Sequence, residues 1–243
     1  MLIDYQSMSL WELLAFNSPG WGGALLSGLV LSLEIAVLGY VFGLLIGLLG
    51  AIGKLSQNLL LTDLLYCYTT AVRAIPELVL ILLIYFALPN FINDVLYSFG
   101  FNGVEINGFF AGVLVIAFVQ GAYATEVIRS SIAAIPKGQI EAAHAFAIPK
   151  YKILYRIVIP SMIPHALPGL SNLWLIATKD TALLAVVGLT ELTLAAKQAA
   201  GASKQQLTFL LAAGMLYLLV SLLSEVLFKY LIKRTEKGQR HGS

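Results

Sequence analysis

The chain has 243 residues, of which 59% are hydrophobic and only 12% are charged, with a net charge of +2. A soluble domain carries about 25% charged residues, so this composition indicates a membrane protein. The small net charge excludes a nucleic-acid-binding protein, and the single cysteine, Cys67, excludes an intrachain disulfide and a cysteine-rich metal site. Because Cys67 lies in an apolar run, we expect it to be a packed thiol.

Five segments of the chain are long and apolar enough to cross a bilayer, which takes about 20 residues in an α-helix. The sequence therefore predicts an all-α, polytopic membrane protein with five transmembrane helices. Their predicted ranges are 23–49, 60–88, 109–129, 165–189 and 207–232. Residues 1–22 form an N-terminal segment, residues 23–232 one transmembrane domain, and residues 233–243 a basic tail.

The first predicted helix carries Gly39, Gly43 and Gly47, one every four residues. Small residues at this spacing let two helices approach each other closely. The partner helix belongs either to this chain or to a second protein chain, and the pattern does not distinguish the two.

The second predicted helix contains Arg73, Pro76 and Glu77. Arg73 and Glu77 are four residues apart, so their side chains can meet on one helix face. Pro76 removes a backbone hydrogen bond between them and leaves the carbonyl of Val72 free. The two charges either neutralise each other as a structural pair or flank an opening for substrate, because discontinuous helices build transporter sites near the bilayer midplane.

The third predicted helix ends in Glu126 and Arg129, which we expect to fix the base of the following loop. That loop, residues 137–160, reads KGQIEAAHAFAIPKYKILYRIVIP. Its alanine-rich residues 139–148 predict a short helix, which Pro149 ends. This helix either lies on the membrane as an amphipathic segment or packs against another protein through its small side chains.

Three prolines lie before and at the start of the fourth predicted helix, and we expect them to interrupt the approach to it: Pro160, Pro164 and Pro168. Within the helix, Lys179-Asp180-Thr181 places two charges where each costs about 2.5–3.5 kcal/mol on insertion scales. Neighbouring residues point in different directions on a helix, so Lys179 and Asp180 cannot face one partner. They either hold the helices together or line a pathway, with a helix break expected near Thr181 or Gly188.

The basic residues fall mostly on one face of this topology. Eleven Lys and Arg residues lie on the face that includes residues 137–160 and the C-terminal tail, against two, Lys197 and Lys204, on the other. The positive-inside rule therefore predicts that the N-terminus lies outside and the C-terminus in the cytoplasm. On the predicted outer face, the segments that contain acidic residues such as Asp4 and Glu105 contain no basic residue.

Motifs of enzymes are missing from the sequence. Residues 47–55, GLLGAIGKL, imitate a phosphate loop, but the first glycine is one position too early and Leu55 replaces the Ser or Thr that would hold magnesium. We therefore expect no catalytic residue, no metal site and no cofactor in this chain.

Two features of residues 137–160 resemble the EAA motif of ABC-importer permeases, which reads EAA, three residues, Gly, nine residues, I-x-L-P. The chain has EAA at 141–143 and IVIP at 157–160 with matching spacing, although Ala147 replaces the glycine and Ile159 the leucine. The resemblance implies that this loop is the coupling loop of a type I importer permease and contacts a partner ATPase. The contact residues that it implies are Gly138, Glu141, Ala142, Ala143, Ala147, Ile157 and Pro160.

Three further segments resemble the polar amino acid permeases: residues 71–85, AVRAIPELVLILLIY; residues 121–129, GAYATEVIR; and residues 167–183, LPGLSNLWLIATKDTAL. The closest likeness is to the Q-type subunits of histidine, lysine–arginine–ornithine and opine importers, and relatives for basic amino acids carry an acid at the position of Glu77. The resemblance and the charge pattern together assign six residues to the substrate pathway: Arg73, Pro76, Glu77, Lys179, Asp180 and Thr181.

The resemblance implies a transport subunit of the bacterial inner membrane that moves polar, basic amino acids inward. Its expected partners are an ATPase dimer that binds ATP and magnesium, a second permease that is identical or of the M type, a periplasmic amino-acid-binding protein and membrane lipid. The alternative is a secondary carrier or channel in which Glu77 and Asp180 relay protons or cations. That alternative predicts an inverted internal repeat, and the sequence contains no recognisable one.

Overall fold

The computed structural model describes residues 8–103 and 107–239, and these residues form helices without strands. Five helical segments are long and apolar enough to cross a membrane, which confirms the predicted all-α, five-span class. They are Gly22–Lys54, Glu77–Ser98, Gly108–Ala133, Lys150–Val187 and Gln206–Thr235. Asp4, Glu105 and Arg240, which enter the predicted orientation, lie outside the described residues.

The helices follow one another with short connections. In chain order they are α1 (Leu10–Leu13), α2 (Gly22–Lys54), α3 (Leu59–Ala74), α4 (Glu77–Ser98), α5 (Gly108–Ala133), α6 (Lys137–Ala145), α7 (Lys150–Ile153), α8 (Ile159–Asp180), α9 (Leu192–Ser203) and α10 (Gln206–Gln239). A π-helical turn, Leu154–Val158, joins α7 to α8, and a 3₁₀ segment, Thr181–Val187, follows α8.

Helices α2 and α5 form the centre of the fold, and the three spaced glycines lie at their contact. A Cβ atom added to Gly39, Gly43 or Gly47 would come closer than 3.0 Å to atoms of α5, including those of Ile116 and Ala124. Glycine is therefore required for this close approach. Of the two partners left open by the sequence, the structure places a helix of the same chain against this face.

The second predicted helix is two helices. Ile75 and Pro76 are extended, with ψ of 137° and 135°, so α3 ends at Ala74 and α4 begins at Glu77. The residue before a proline avoids the α region, which explains the break. The prediction that Arg73 and Glu77 share one helix is therefore wrong. Cys67 on α3 is exposed rather than packed, because α3 buries only its face towards Thr69 and Val72.

The predicted interruptions before the fourth helix are also wrong. Pro160, Pro164 and Pro168 lie within α8, and helical structure is continuous over residues 150–187. Pro160 is the second residue of α8. The π turn immediately before it widens the backbone, and membrane helices accommodate internal prolines.

The end of this span agrees with the prediction. The backbone changes from α-helix to 3₁₀ at Thr181, and Gly188, with φ of +86°, ends the segment. The left-handed conformation of Gly188 is one that residues with a side chain rarely adopt.

Glu191 then begins α9 and is fully buried. Its carboxylate accepts hydrogen bonds from the backbone N–H groups of Thr193 and Leu194 at 2.8 and 2.9 Å, and from the hydroxyls of Ser32 and Tyr217 at 3.2 and 2.9 Å. A side-chain acceptor at a helix N-terminus satisfies otherwise unpaired donors. One carboxylate thus joins α2, α9 and α10. Glu191 was not among the residues predicted from the sequence.

Candidate functional site

Two carboxyl groups meet in the interior of the transmembrane region. Glu77 is the first residue of α4, and Asp180 is the last residue of α8 and 7% exposed. Glu77 is half-buried, and its carboxyl group lies close enough to Asp180 and to the Tyr123 hydroxyl to interact electrostatically with both. Gln120 donates a hydrogen bond from Nε2 to Asp180 Oδ2 at 3.1 Å. We call these four residues the carboxyl cluster.

Local structure explains how the carboxyl cluster assembles. The break at Pro76 exposes the N-terminus of α4, where a negative charge such as that of Glu77 is favourable. Gln120 and Tyr123 are three residues apart on α5 and therefore share one helix face. The fold brings the end of α8 against this face, which places Asp180 opposite them.

The cluster has more acceptors than donors. The Oε1 atom of Gln120, a residue that is 1% exposed, is buried without a hydrogen-bond partner. A buried acceptor in this state costs about 1–3 kcal/mol. Among the described residues, neither Glu77 nor Asp180 forms an ion pair with a basic side chain. A cationic group with several N–H donors would supply both a counter-charge for the carboxyl groups and a hydrogen bond to the Gln120 oxygen.

Arg73 lies at the edge of the cluster. It is exposed, and its guanidinium carbon is 6.0 Å from the centroid of the Tyr123 ring. That distance permits a weak cation–π interaction. The self-neutralising pair of Arg73 with Glu77, one of the two predicted interpretations, is not formed within the ion-pair distance of 4.0 Å in the described part of the chain.

Lys179 and Thr181 lie away from the cluster, although both were predicted to join Asp180 on the pathway. Lys179 is exposed and lines a groove of about 330 Å³ against α10, together with Tyr217 and Ser221. Thr181 is fully buried, and its hydroxyl donates to the carbonyl of Thr178 at 2.8 Å. Neighbouring residues on a helix point in different directions, and this explains why Lys179, Asp180 and Thr181 have different surroundings.

Gln120 and Tyr123 belong to the cluster but were not predicted. Gln120 is a polar residue inside the apolar run of α5, and this is the signal that could have identified it. Tyr123 gives no comparable signal, because aromatic residues are ordinary in such a helix.

A second charge cluster has a different composition. The Lys54 ammonium group, with a fully buried side chain, pairs with Glu126 and donates to the Thr69 hydroxyl at 2.6 Å. Arg129 Nη2 lies 3.0 Å from the other oxygen of Glu126, and the Lys54 ammonium is 3.8 Å from the Tyr66 ring centroid. We call Lys54, Glu126, Arg129 and Thr69 the ion-paired cluster. It joins α2, α3 and α5, and it includes the two residues predicted to fix the base of the loop.

The loop itself forms α6, which spans Lys137–Ala145 rather than the predicted 139–148. Ala143 is 3% exposed and packs in an apolar cluster with Ile153 and Val158, and Ile157 is partly buried against the same cluster. Ala143 therefore faces its own chain and Ile157 is half-buried against it, and the contact of these two residues with an ATPase stays a prediction. The remaining predicted contact residues are exposed: Gly138, Glu141, Ala142, Ala147 and Pro160.

Phe146 extends this exposed surface and was not predicted. Its side chain is 81% exposed at the C-terminal end of α6. A large exposed aromatic residue on a short helix is typical of a protein contact. We call Glu141, Ala142, Phe146 and Ala147 the α6 surface.

Ala147 stands where the EAA motif has glycine, and its backbone is left-handed. Its φ is +53°, its N–H donates to the carbonyl of His144 at 2.9 Å, and the N–H of Ile148 donates to the carbonyl of Ala143 at 3.1 Å. This pair of bonds is a Schellman motif, whose left-handed residue is usually glycine. The turn forms here despite the alanine side chain.

Comparison with known proteins identifies the family. Residues 39–237 match the family described as binding-protein-dependent transport system inner membrane component. The chain is 36% identical to the octopine transport system permease protein OccQ of Rhizobium meliloti, covering 97% of this chain and all of that protein. It is 37% identical to the histidine/lysine/arginine/ornithine transport system permease protein HisQ of Escherichia coli K12, covering 92% of this chain and 98% of that protein. It is 40% identical to the nopaline transport system permease protein NocQ of Agrobacterium fabrum, covering 94% of this chain and 98% of that protein.

Solved structures have the same architecture. A chain from the crystal structure of an amino acid ABC transporter with histidines superposes with a TM-score of 0.74 at 28% identity, covering 88% of this chain and 95% of that one. A chain of the MetNI methionine ABC transporter, in an inward-facing conformation, superposes with a TM-score of 0.66 at 18% identity, covering 86% and 92%, and supports the fold alone.

Proposed function

The chain belongs to the family of binding-protein-dependent transport system inner membrane components and is a permease subunit of an amino acid ABC importer, and from this premise we propose that it carries basic amino acids. The carboxyl cluster is the observation on which the proposal rests. Two adjacent carboxyl groups and an unpaired Gln120 oxygen suit a cationic side chain with several N–H donors. Arg73, at the edge of the cluster, is placed to attract the carboxylate of the substrate.

The names of the relatives support this substrate class. HisQ is named for histidine, lysine, arginine and ornithine, and OccQ and NocQ are named for octopine and nopaline. The comparisons alone do not identify which residues select the substrate. The cluster supplies a physical reason for selection, because a cation without a counter-charge inside the bilayer carries a large desolvation cost.

The test is Glu77→Gln in the complete transporter, reconstituted with its ATPase and binding protein. The change keeps the shape of the side chain and removes its charge. Hydrogen bonds to charged groups contribute about 1.5–3 kcal/mol, so transport of lysine or arginine should fall about 10- to 100-fold. Transport of glutamine, where it is carried, should fall much less.

The matched control is Glu225→Gln, which removes the same charge from an exposed ion pair with Lys229 on α10. It should leave all substrates unaffected. Equal losses for charged and neutral substrates in Glu77→Gln, corrected for the amount of assembled complex, would assign Glu77 to the scaffold and refute the proposal.

We further propose that the α6 surface contacts the partner ATPase. This chain supplies no nucleotide site in the proposal, and ATP and magnesium are bound by the ATPase dimer. Glu141→Lys reverses the charge of the surface, and Phe146→Ser removes its largest apolar side chain. Both should lower the affinity for the ATPase and abolish substrate-stimulated ATP hydrolysis while the permease remains folded.

Because Ala143 packs inside its own chain, a bulky substitution there is a control rather than a docking test. Ala143→Leu should lower the thermal stability of the permease itself. Normal ATPase binding by both Glu141→Lys and Phe146→Ser would contradict the docking role of the α6 surface.

The proposal also includes the orientation and the remaining partners. We place residues 1–22 in the periplasm and α6 with the tail, residues 233–243, in the cytoplasm, with a second permease and a periplasmic binding protein completing the transporter. Cysteine labelling in intact cells tests this in a Cys67→Ser background, since Cys67 is exposed. A membrane-impermeant reagent should label Asn102→Cys and not Gly138→Cys; the reverse pattern would overturn the orientation.

A further inference from the structure

A groove with a mostly apolar wall and a few polar side chains lies between the base of α6 and the end of α10. Its volume is about 770 Å³. The residues that give it chemical character are Gln139 on α6, Ser161 and His165 on α8, and Arg234 on α10. None of them belongs to the carboxyl cluster, the ion-paired cluster or the α6 surface. The family and the transport activity leave this groove without a role.

The groove lies at the level where the membrane-spanning segments become polar. The apolar stretch of the last span runs over Gln206–Thr235, and Arg234 is at its end. Lys233 and Arg234 follow the exposed Tyr230 within one turn. Aromatic residues followed by basic residues mark the boundary between hydrocarbon and headgroups. The groove therefore opens at headgroup depth and not in the bilayer centre.

The chemistry of the groove favours an anion. Arg234 makes no ion pair with another side chain in the described residues, and the side chains that line the groove there include no carboxylate. The Ser161 hydroxyl donates to the Oε1 atom of Gln139 at 3.4 Å, and the Gln139 amide nitrogen and the His165 imidazole add N–H donors. A planar guanidinium with neighbouring donors matches the oxygen atoms of a phosphate.

We propose that this groove binds the phosphodiester headgroup of an anionic phospholipid. Basic pockets between membrane helices at this depth bind anionic headgroups, because the negative surface potential and the direct phosphate contact act together. The volume is within the range of small-ligand pockets, about 300–1,000 Å³. The bound lipid would lie between α6 and α10 and connect the loop that carries the α6 surface to the last span.

The test counts lipids on the complete permease complex purified in detergent. The complex is equilibrated with equal amounts of phosphatidylglycerol and phosphatidylethanolamine, and native mass spectrometry measures the ratio of the two that remain bound. The wild-type complex should retain phosphatidylglycerol preferentially. Arg234→Gln should lower this ratio about fivefold, the effect expected for one basic residue near an anionic headgroup.

Three further variants make the outcome specific. Arg234→Lys keeps the charge and should keep most of the preference, and His165→Gln, which keeps a donor, should lower it less than Arg234→Gln. Lys229→Gln is the matched control, because Lys229 is on the same helix but is 71% exposed and paired with Glu225. It should leave the ratio within twofold of wild type.

Four results would overturn the proposal. An absent preference in the wild-type complex would do so, as would equal losses in Arg234→Gln and Lys229→Gln. Displacement of the lipid by excess inorganic phosphate would identify a site for free anions. An unchanged lipid ratio in Arg234→Gln together with loss of ATPase co-purification would assign the groove to the ATPase. None of these measurements depends on which amino acid is transported.

Discussion

The two charge clusters of this protein differ in how their charges are balanced. In the ion-paired cluster, Lys54 and Arg129 surround the single carboxylate of Glu126. In the carboxyl cluster, Glu77 and Asp180 interact with each other and with no paired cation among the described residues. Both clusters join three helices inside the same bundle.

We propose that this difference separates structural charges from functional ones. A buried charge that has its partner within the chain is already satisfied and gains nothing from a ligand. Two like charges held together are unfavourable until a cation arrives, and this is the property of a binding site. The clusters should therefore respond to mutation in opposite ways: stability should depend on the ion-paired cluster and transport on the carboxyl cluster.

The largest effect is expected for Lys54→Met. It leaves the Glu126 carboxylate without its closest counter-charge, and breaking a buried pair from one side costs about 3–5 kcal/mol. The permease should unfold at a markedly lower temperature in detergent. Fluorescence-detected thermal unfolding measures the change.

Lys229→Met is the matched control, because it breaks the exposed Lys229–Glu225 pair. Exposed pairs contribute about 0–1 kcal/mol, so its unfolding should change little. The double variant Lys54→Met with Glu126→Gln should recover part of the loss. Equal stability of Lys54→Met and wild type would remove the distinction between the clusters.

The next effect is expected for Asp180→Asn, and it should act on transport alone. The amide keeps the shape of the side chain but ends the repulsion with Glu77, so the unfolding temperature should stay the same or rise. Transport of lysine or arginine should fall about 10- to 100-fold, because a charge-assisted hydrogen bond is lost. A parallel loss of stability and transport would identify Asp180 as a structural residue.

Tyr123→Phe should have a smaller effect on the carboxyl cluster. It removes the hydroxyl that interacts with Glu77 and keeps the ring beside Arg73. One hydrogen bond contributes about 0.5–1.5 kcal/mol, so transport should fall about two- to tenfold at unchanged stability. Initial uptake rates in proteoliposomes measure the loss, and an unaltered rate would exclude the hydroxyl from the site.

Thr69→Val is the corresponding deletion in the ion-paired cluster. It removes the hydroxyl that accepts from Lys54 at 2.6 Å and keeps the branched shape. We expect about 1 kcal/mol of lost stability and unchanged transport per assembled complex. Thermal unfolding and uptake are measured together on one preparation. Loss of transport without loss of stability would show that the two clusters are not separate in function.

The sequence predicts the helices well because their signals are local. Apolar length identifies five spans, and the avoidance of the α region before Pro76 explains the break that opens the carboxyl cluster. The errors arise where tertiary structure overrides a local rule. Pro160, Pro164 and Pro168 were expected to interrupt the chain, but helical structure continues through all three, with a π turn directly before α8.

The candidate site was predicted only in part, because some of its residues give a local signal and others come together only through packing. Glu77 and Asp180 are recognisable because charge is rare in apolar runs, whereas their meeting depends on how α4, α5 and α8 pack. Gln120 carries a signal in the sequence as a polar residue in an apolar run, whereas Tyr123 becomes a functional candidate only through that packing. The burial of Ala143 likewise depends on a contact with residues after the loop, which spacing within α6 does not reveal.

The continuity of the helical segment Lys150–Val187 has a mechanical consequence. Asp180 lies 30 residues after Lys150, a distance of about 45 Å along a helix that rises about 1.5 Å per residue. Because no loop interrupts the segment, a tilt of its end nearest α6 also moves Asp180. Because Glu77 belongs to a different helix, the same tilt changes the separation of the two carboxyl groups. If the carboxyl cluster binds a cation as we propose, its affinity for that cation depends on the tilt of this helical segment, whose other end lies beside α6.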